Sequence, residues 1–285
     1  MPRLYFMVLY VLLSSCSLVS QKKDPVESPN GYDFSQPSTI RLPETLDEIS
    51  GIVFDARTKT ILALNDEEGR IYEVPVDGSR KFPSKKFTKG GDFEDLCRSG
   101  QSLWALKSNG QLSRIPYPLT DTMKVENFPF TGRGFVDFET LIPLPGDTAL
   151  ILLCKECRDF PGKVTGFLFH IPRRQFADSP AFRLDFSGIQ GKEQKRSGSD
   201  TKPSAAAFHP RTGELFIMAS ANHRLFIAEP SGRVKQVFQL DKAVFKQPEG
   251  ICFDEAGNLY VSNEARTGNA NIRRFAYQPA GQQVP

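Results

Sequence analysis

Glu249-Gly250-Ile251-Cys252-Phe253-Asp254, near the end of the chain, is the last of five related stretches. The earlier ones are Glu48-Ile49-Ser50-Gly51-Ile52-Val53-Phe54-Asp55, Glu94-Asp95-Leu96-Cys97, Glu139-Thr140-Leu141-Ile142 and Ser204-Ala205-Ala206-Ala207-Phe208-His209. Each opens on a carboxylate, or on Ser204 in its place, and runs through a small or turn residue into an apolar strand. Their first residues lie 46, 45, 65 and 45 positions apart. A period of about 40–45 residues with several short strands per unit is the signature of a β-propeller.

The segments between these stretches parse as hairpins. In the first unit Gly51 to Phe54 is followed by Thr60 to Asn65, Arg70 to Val74 and Phe82 to Phe87, with turns at Glu67-Glu68-Gly69 and Asp77-Gly78. Asn109-Gly110 and Ser231-Gly232 mark the same kind of turn in the second and fourth units. The third unit offers Ala149 to Cys154, Val164 to Ile171 and Ala181 to Phe186. The fifth unit has Asn258 to Ser262 and Ile272 to Tyr277, then lacks its outer strand. The spare strand Thr39 to Leu42 fits beside Ile272 to Tyr277, which would close the ring and cover an edge. The expectation is an all-β fold, a five-bladed β-propeller of four-stranded antiparallel blades closed by an N-terminal strand. The long spacing is taken up by Gly188 to Lys202, a polar stretch rich in glycine and serine that reads as a surface loop.

The chain has 285 residues with a net charge of +3, 23 Phe, 22 Gly and 21 Pro. The aromatic, glycine and proline content suits strands and turns. The charge is too small and too dispersed to imply a nucleic-acid partner. Arg3 followed by the apolar run Leu4 to Leu13 is too short to span a bilayer as a helix and reads as an export signal. Leu13-Ser14-Ser15-Cys16 resembles the lipobox of bacterial lipoproteins, which would make Cys16 the lipidation site and the membrane a partner through a lipid anchor. The expected organisation is a signal segment over 1–16, a flexible tether over 17–38, the propeller over 39–279 and a tail over 280–285. The expected location is the bacterial cell envelope. In an exported protein disulfides persist, and Cys154 and Cys157 are close enough to bridge each other. Cys97 and Cys252 sit in apolar runs and read as buried thiols.

Inner strands of a propeller line the central channel, so equivalent positions of all blades converge on one mouth. On the repeat above, Glu48, Glu94, Glu139 and Glu249 converge there with Ser204. Carboxylates so close repel unless protons or a cation neutralise them. With no histidine or cysteine among them the fitting partner is a hard, oxygen-loving ion, calcium rather than zinc. Capping of the strands by the same glutamates is the alternative use. A second polar ring is expected at the ends of the second strands, from Asn65 and Asp66, Lys107 and Ser108, Lys155 and Glu156, Ser220, and Asn263 and Glu264, where hairpin-turn chemistry competes with ligand binding. Lys107 and Lys155 would offer cations to an anionic ligand. His170, His209 and His223 have no partner at metal or triad spacing, and no nucleophile-elbow, P-loop or dinucleotide motif occurs.

Leu46-Asp47-Glu48-Ile49-Ser50-Gly51-Ile52, Gly91-Asp92-Phe93-Glu94-Asp95-Leu96 and Val136-Asp137-Phe138-Glu139-Thr140-Leu141 resemble the SdiA-regulated (YjiK-like) propellers of bacteria. So do Lys202-Pro203-Ser204-Ala205-Ala206-Ala207 and Gln247-Pro248-Glu249-Gly250-Ile251. The resemblance spans about Thr39 to Tyr277. It implies a five-bladed envelope propeller, distantly related to NHL repeats, with a calcium site and no defined activity. Two functions follow as expectations. One is a calcium-binding module for a small-molecule or protein ligand. The other is a metal-dependent hydrolase of the lactonase or esterase type, in which Glu48, Asn65, Asn263 and Glu249 would hold the ion; its catalytic residues are not evident in the sequence.

Overall fold

A computed structural model of the chain describes residues 27–189, 201–265 and 268–279. The signal segment, Cys16, the first part of the tether, most of the Gly188–Lys202 loop and the C-terminal tail lie outside the described residues. Strand β1 (Ser38–Arg41) comes first. Blade one is β2 (Ile49–Asp55), β3 (Thr60–Asn65), β4 (Arg70–Pro75) and β5 (Ser84–Lys86). Blade two is β6 (Phe93–Ser99), β7 (Ser102–Lys107), β8 (Leu112–Pro116) and β9 (Glu126–Phe128). Blade three is β10 (Val136–Pro143), β11 (Ala149–Cys157), β12 (Thr165–His170), β13 (Gln175–Phe176) and β14 (Phe182–Arg183). Blade four is β15 (Ala205–Phe208), β16 (Leu215–Ala219), β17 (Arg224–Ala228) and β18 (Val234–Gln239). Blade five is β19 (Pro248–Phe253), β20 (Leu259–Asn263) and β21 (Asn271–Phe275).

Each blade is an antiparallel meander, and β1 supplies the fourth strand of blade five by pairing with β21, Ile40 opposite Ile272. The five-bladed propeller expected from the repeat is therefore present, with its closing strand. Blade three differs in detail. The single outer strand expected at Ala181 to Phe186 is split, and β13 and β14 both pair with β12. Among the described residues no helix is long and apolar enough to cross a membrane.

The core is divided into five clusters, one in each gap between neighbouring blades. Leu62, Leu64 and Ile71 of blade one meet Phe93, Leu96 and Ile115 of blade two. Trp104 of blade two, 1% exposed, packs with Phe138 and Phe169 of blade three. Blade one meets blade five through Ile52, Tyr72 and Ile272, which closes the circle. This follows from the alternation of apolar residues: both faces of each sheet are covered by a neighbour, so both must be apolar. Near the axis the inner strands approach so closely that a side chain has no room. A Cβ on Gly51 would lie 2.2 Å from the Leu96 amide nitrogen, and one on Gly250 would lie 2.5 Å from the Ser50 carbonyl.

Candidate functional site

The site is built by β-bulges. In β6 Phe93 faces Lys107 and Asp95 faces Leu106, which leaves Glu94 as the extra residue. In β10 Glu139 is skipped in the same way between Phe138 and Thr140, and in β19 Glu249 is skipped between Pro248 and Gly250. A bulge bends its strand and re-aims the extra side chain. Here it turns a residue out of the sheet and into the channel.

Blade one obeys the same geometry with a different residue. Its bulge falls between Ile49 and Ile52, and Ile49 faces Asn65 as Phe93 faces Lys107. The residue equivalent to Glu94 is therefore Ser50, not Glu48. The five equivalent residues are Ser50, Glu94, Glu139, Ser204 and Glu249, and all five line one cavity of about 130 Å³. Glu48 lies two residues earlier, outside the lining, where it shares a hydrogen bond with Asp66. The sequence carried a signal for this: Ser50-Gly51-Ile52 matches Glu249-Gly250-Ile251 better than any frame that starts on Glu48.

The second ring shifts in the same manner. The lining includes Asp66 and Glu264, each one position past the last paired residue of its strand, and Lys155, one position past Cys154, which faces Phe138. Of the residues expected there, Lys155 and Glu264 reach the cavity. Asn65 instead accepts hydrogen bonds from the Glu67 and Glu68 amides and holds the turn. Lys107 lies 4.7 Å from the centre of the Phe93 ring, and Asn263 is buried against Asn271. Ser220 opens a short 3₁₀ turn after β16 and is not part of the lining. Asp66, expected beside Asn65, does line the cup, whereas sequence reasoning missed Gln247, which completes the wall.

One step further along the strands, Ile52, Leu96, Leu141, Ala206 and Ile251 form an apolar floor, at most 6% exposed. The same five side chains border an apolar cavity of about 260 Å³ beyond it. The polar mouth is thus a cup, with carboxyls above and hydrocarbon below.

Five carboxyls (Asp66, Glu94, Glu139, Glu249 and Glu264) line this cup with one ammonium, Lys155. Lys155 donates a hydrogen bond to Glu139, and Gln247 donates to Glu264. The remaining charge is not balanced. Burial, and then the charges of Glu139 and Asp92, push Glu94 up to about 9. Burial, with Glu139 and Glu264, pushes Glu249 up to about 8. Burial and Glu48 push Asp66 up to about 7. Glu139 is raised by burial even though Lys155 opposes it. Burial acts to lower Lys155, but Glu139, Asp137 and Glu249 outweigh it and raise the ammonium. Ser50 and Ser204 donate their hydroxyls to the Leu64 and Pro248 carbonyls, so both are occupied by the backbone.

Asp95, beside the cup, has a separate task. Its two carboxylate oxygens accept from the Leu96 and Leu141 amides at 2.7 Å each, which ties blade two to blade three. Burial pushes it up to about 8 against those two hydrogen bonds. His209 is structural as well: its Nδ1 accepts from the Arg211 and Thr212 amides.

The donor set is all oxygen, which suits a hard cation. Among the described residues, however, no three His, Cys, Asp or Glu side chains stand together so as to hold a metal ion as they are placed. Lys155 on Glu139 and Gln247 on Glu264 account for two of the carboxyls.

The sequence model of the SdiA-regulated family matches residues 186–267, which carry blade four and most of blade five. The chain is a β-propeller that over this stretch is similar to the SdiA-regulated family. No curated protein matches the chain in sequence. Among solved structures it is similar to the glutaminyl cyclase of Myxococcus xanthus, with a TM-score of 0.55 and 13% identity over 85% of this chain and 97% of that one. It is also similar to the PQQ-bound aldose sugar dehydrogenase of Streptomyces coelicolor, with a TM-score of 0.53 and 13% identity over 88% of this chain and 100% of that one. At such identities the likeness speaks for the propeller fold and not for an activity.

Proposed function

We propose that this propeller is a member of the SdiA-regulated family, an exported, lipid-anchored protein of the bacterial cell envelope whose carboxylate cup binds a hard divalent cation, calcium, as part of a module that holds a ligand or protein partner. The observation that carries the reading is the excess of charge in the cup: five carboxyls against one ammonium, above an apolar floor. Burial first, and neighbouring carboxylates second, raise the proton affinity of Glu94, Glu249 and Asp66, and a cation bound there would take the place of those protons. A divalent cation would supply the missing charge. Glu94, Glu139 and Glu249 would hold it, with the Gln247 amide oxygen as a neutral donor, and the Lys155 ammonium would leave Glu139. Leu13-Ser14-Ser15-Cys16 supports the anchor.

The hydrolase alternative has less support. Of the residues expected to hold its ion, only Glu249 lines the cup; Glu48 lies outside the lining, Asn65 holds a turn and Asn263 is buried against Asn271.

The test is thermal unfolding of the mature chain in chelator and in saturating calcium. Binding to the folded state alone raises the melting temperature, and E94Q/E249Q should lose most of the rise. A wild-type melting temperature unmoved by calcium, with no binding by calorimetry, would overturn the cation site. Mass spectrometry of the membrane fraction, with C16S as control, tests the anchor: a diacylglyceryl adduct on Cys16 is the expected result.

A further inference from the structure

Blade three carries a second bulge that the other blades lack in their recorded pairing. On β11 Glu156 faces Asp137 and Cys154 faces Phe138, so Lys155 is skipped. The inner hairpins of blades one, two and five stop pairing at Asn65, Lys107 and Asn263, whereas β11 runs on to Cys157. Blade three therefore has facing bulges, Glu139 on one strand and Lys155 on the other, and their side chains meet as an ion pair in the cup.

A disulfide joins Cys154 to Cys157, the residues that flank Lys155 and Glu156. Along a regular strand, residues three apart are about 10 Å from each other. These two Cα atoms are 5.7 Å apart. The segment is drawn in, and the shortening is the bulge itself. Both cysteines are buried, 2% and 7% exposed, in the core between blades two and three, so the crosslink has a fixed footing. Lysine is a flexible side chain with a strongly hydrated head. The Lys155 side chain is 36% exposed, so burial alone does not hold its head on Glu139, and keeping it there calls for a fixed backbone.

We propose that the Cys154–Cys157 disulfide is a positioning device that keeps the Lys155 ammonium in the cup as a built-in counter-ion, and that Lys155 thereby sets how tightly the cup takes an external cation. The second half rests on the reading of the cup as a cation site; the first half does not. An arriving cation must displace the ammonium from Glu139. Removing the lysine, or releasing the strand that presents it, makes that displacement easier.

Two measurements on the mature chain separate the halves. The first is the rate at which an amine-acylating reagent modifies Lys155, read by peptide mass spectrometry with Lys163 as internal control. In the oxidised protein Lys155 should react slowly. A dithiol reductant delivers two electrons and two protons, the S–S bond cleaves to two thiols, and the reagent closes to its own disulfide. Lys155 should then react at least fivefold faster while Lys163 is unchanged, and C154S/C157S should behave as the reduced protein. An unchanged Lys155 rate in both would overturn the positioning role.

The second measurement is calcium affinity by calorimetry. K155M should bind about tenfold more tightly than oxidised wild type, and reduction should tighten wild type but not K155M. Equal tightening of both by reduction, or weaker binding by K155M, would overturn the part given to Lys155. If no form binds calcium, the cation reading fails, and the acylation rates still decide the role of the disulfide.

Discussion

Replacing Glu94 by glutamine should stabilise the cation-free protein, and the gain should grow with pH. The Glu94 carboxyl is pushed up to about 9 by burial and by its carboxylate neighbours, from an ordinary value of 4.5. Folding therefore takes up a proton at Glu94 between about pH 4.5 and pH 9. In that window the folded state binds more protons than the unfolded one, so stability is full below the lower value and is lost as pH rises through the upper. Each pH unit inside the window is worth about 1.4 kcal/mol. At pH 7 the uptake costs about 3 kcal/mol, an upper bound because neighbouring carboxyls titrate together. Glutamine has almost the same shape and nothing to ionise. In chelator at pH 7, E94Q should gain 2 to 3 kcal/mol, roughly, and at pH 4.5 it should match wild type. Trp104 is the only tryptophan and is 1% exposed, so its fluorescence follows urea unfolding directly. A variant that is neutral or destabilised at pH 7, or equally stabilised at both pH values, would refute the charge argument. Saturating calcium should reverse the order, since glutamine supplies no charge to the ion.

Three further outcomes are expected. Gly51→Ala places a Cβ 2.2 Å from the Leu96 amide nitrogen, so blades one and two must part and stability should fall by about 3 kcal/mol in urea unfolding. Asp95→Ala orphans the Leu96 and Leu141 amides and should lose roughly 2 to 5 kcal/mol, while leaving calcium affinity within about twofold if Asp95 acts only between blades. Removing the chain through Arg41 exposes the edge of β21; a lower melting temperature and concentration-dependent association in light scattering should follow, and an equally stable monomer would count against closure by β1.

The fold was legible because its determinants are local and repeated. Asn109-Gly110 and Asp77-Gly78 announce their turns, with φ near 83° and 87° at the glycines, and the missing strand at one end of the chain had its counterpart at the other. The site was legible only to within a residue or two. A bulge inserts one residue without changing composition, so the eye aligned the acidic Glu48 with Glu94 when the strand register aligns Ser50. In the second ring the sequence pattern does not separate Asn65, which holds the turn, from Asp66, which reaches the cup. Lys155 was read as a cation offered to a ligand; the facing bulge at Glu139 turns it inward, and pairing across two strands has no trace in a linear pattern.

The strand that closes the ring also orders its assembly. Ser38 and Arg274, which meet across β1 and β21, are 236 positions apart. Blades one to four consist of neighbours in the chain, and each can zip as soon as its own residues are available. Blade five cannot, because its outer strand precedes the other four blades in the chain and its partner follows them. Long-range pairing of this kind is the slow part of folding. A molecule with this layout spends the late stage of its synthesis as an open arc, with an unpaired strand at one end and an unfinished blade at the other. The joining of the two is set by topology as its final event.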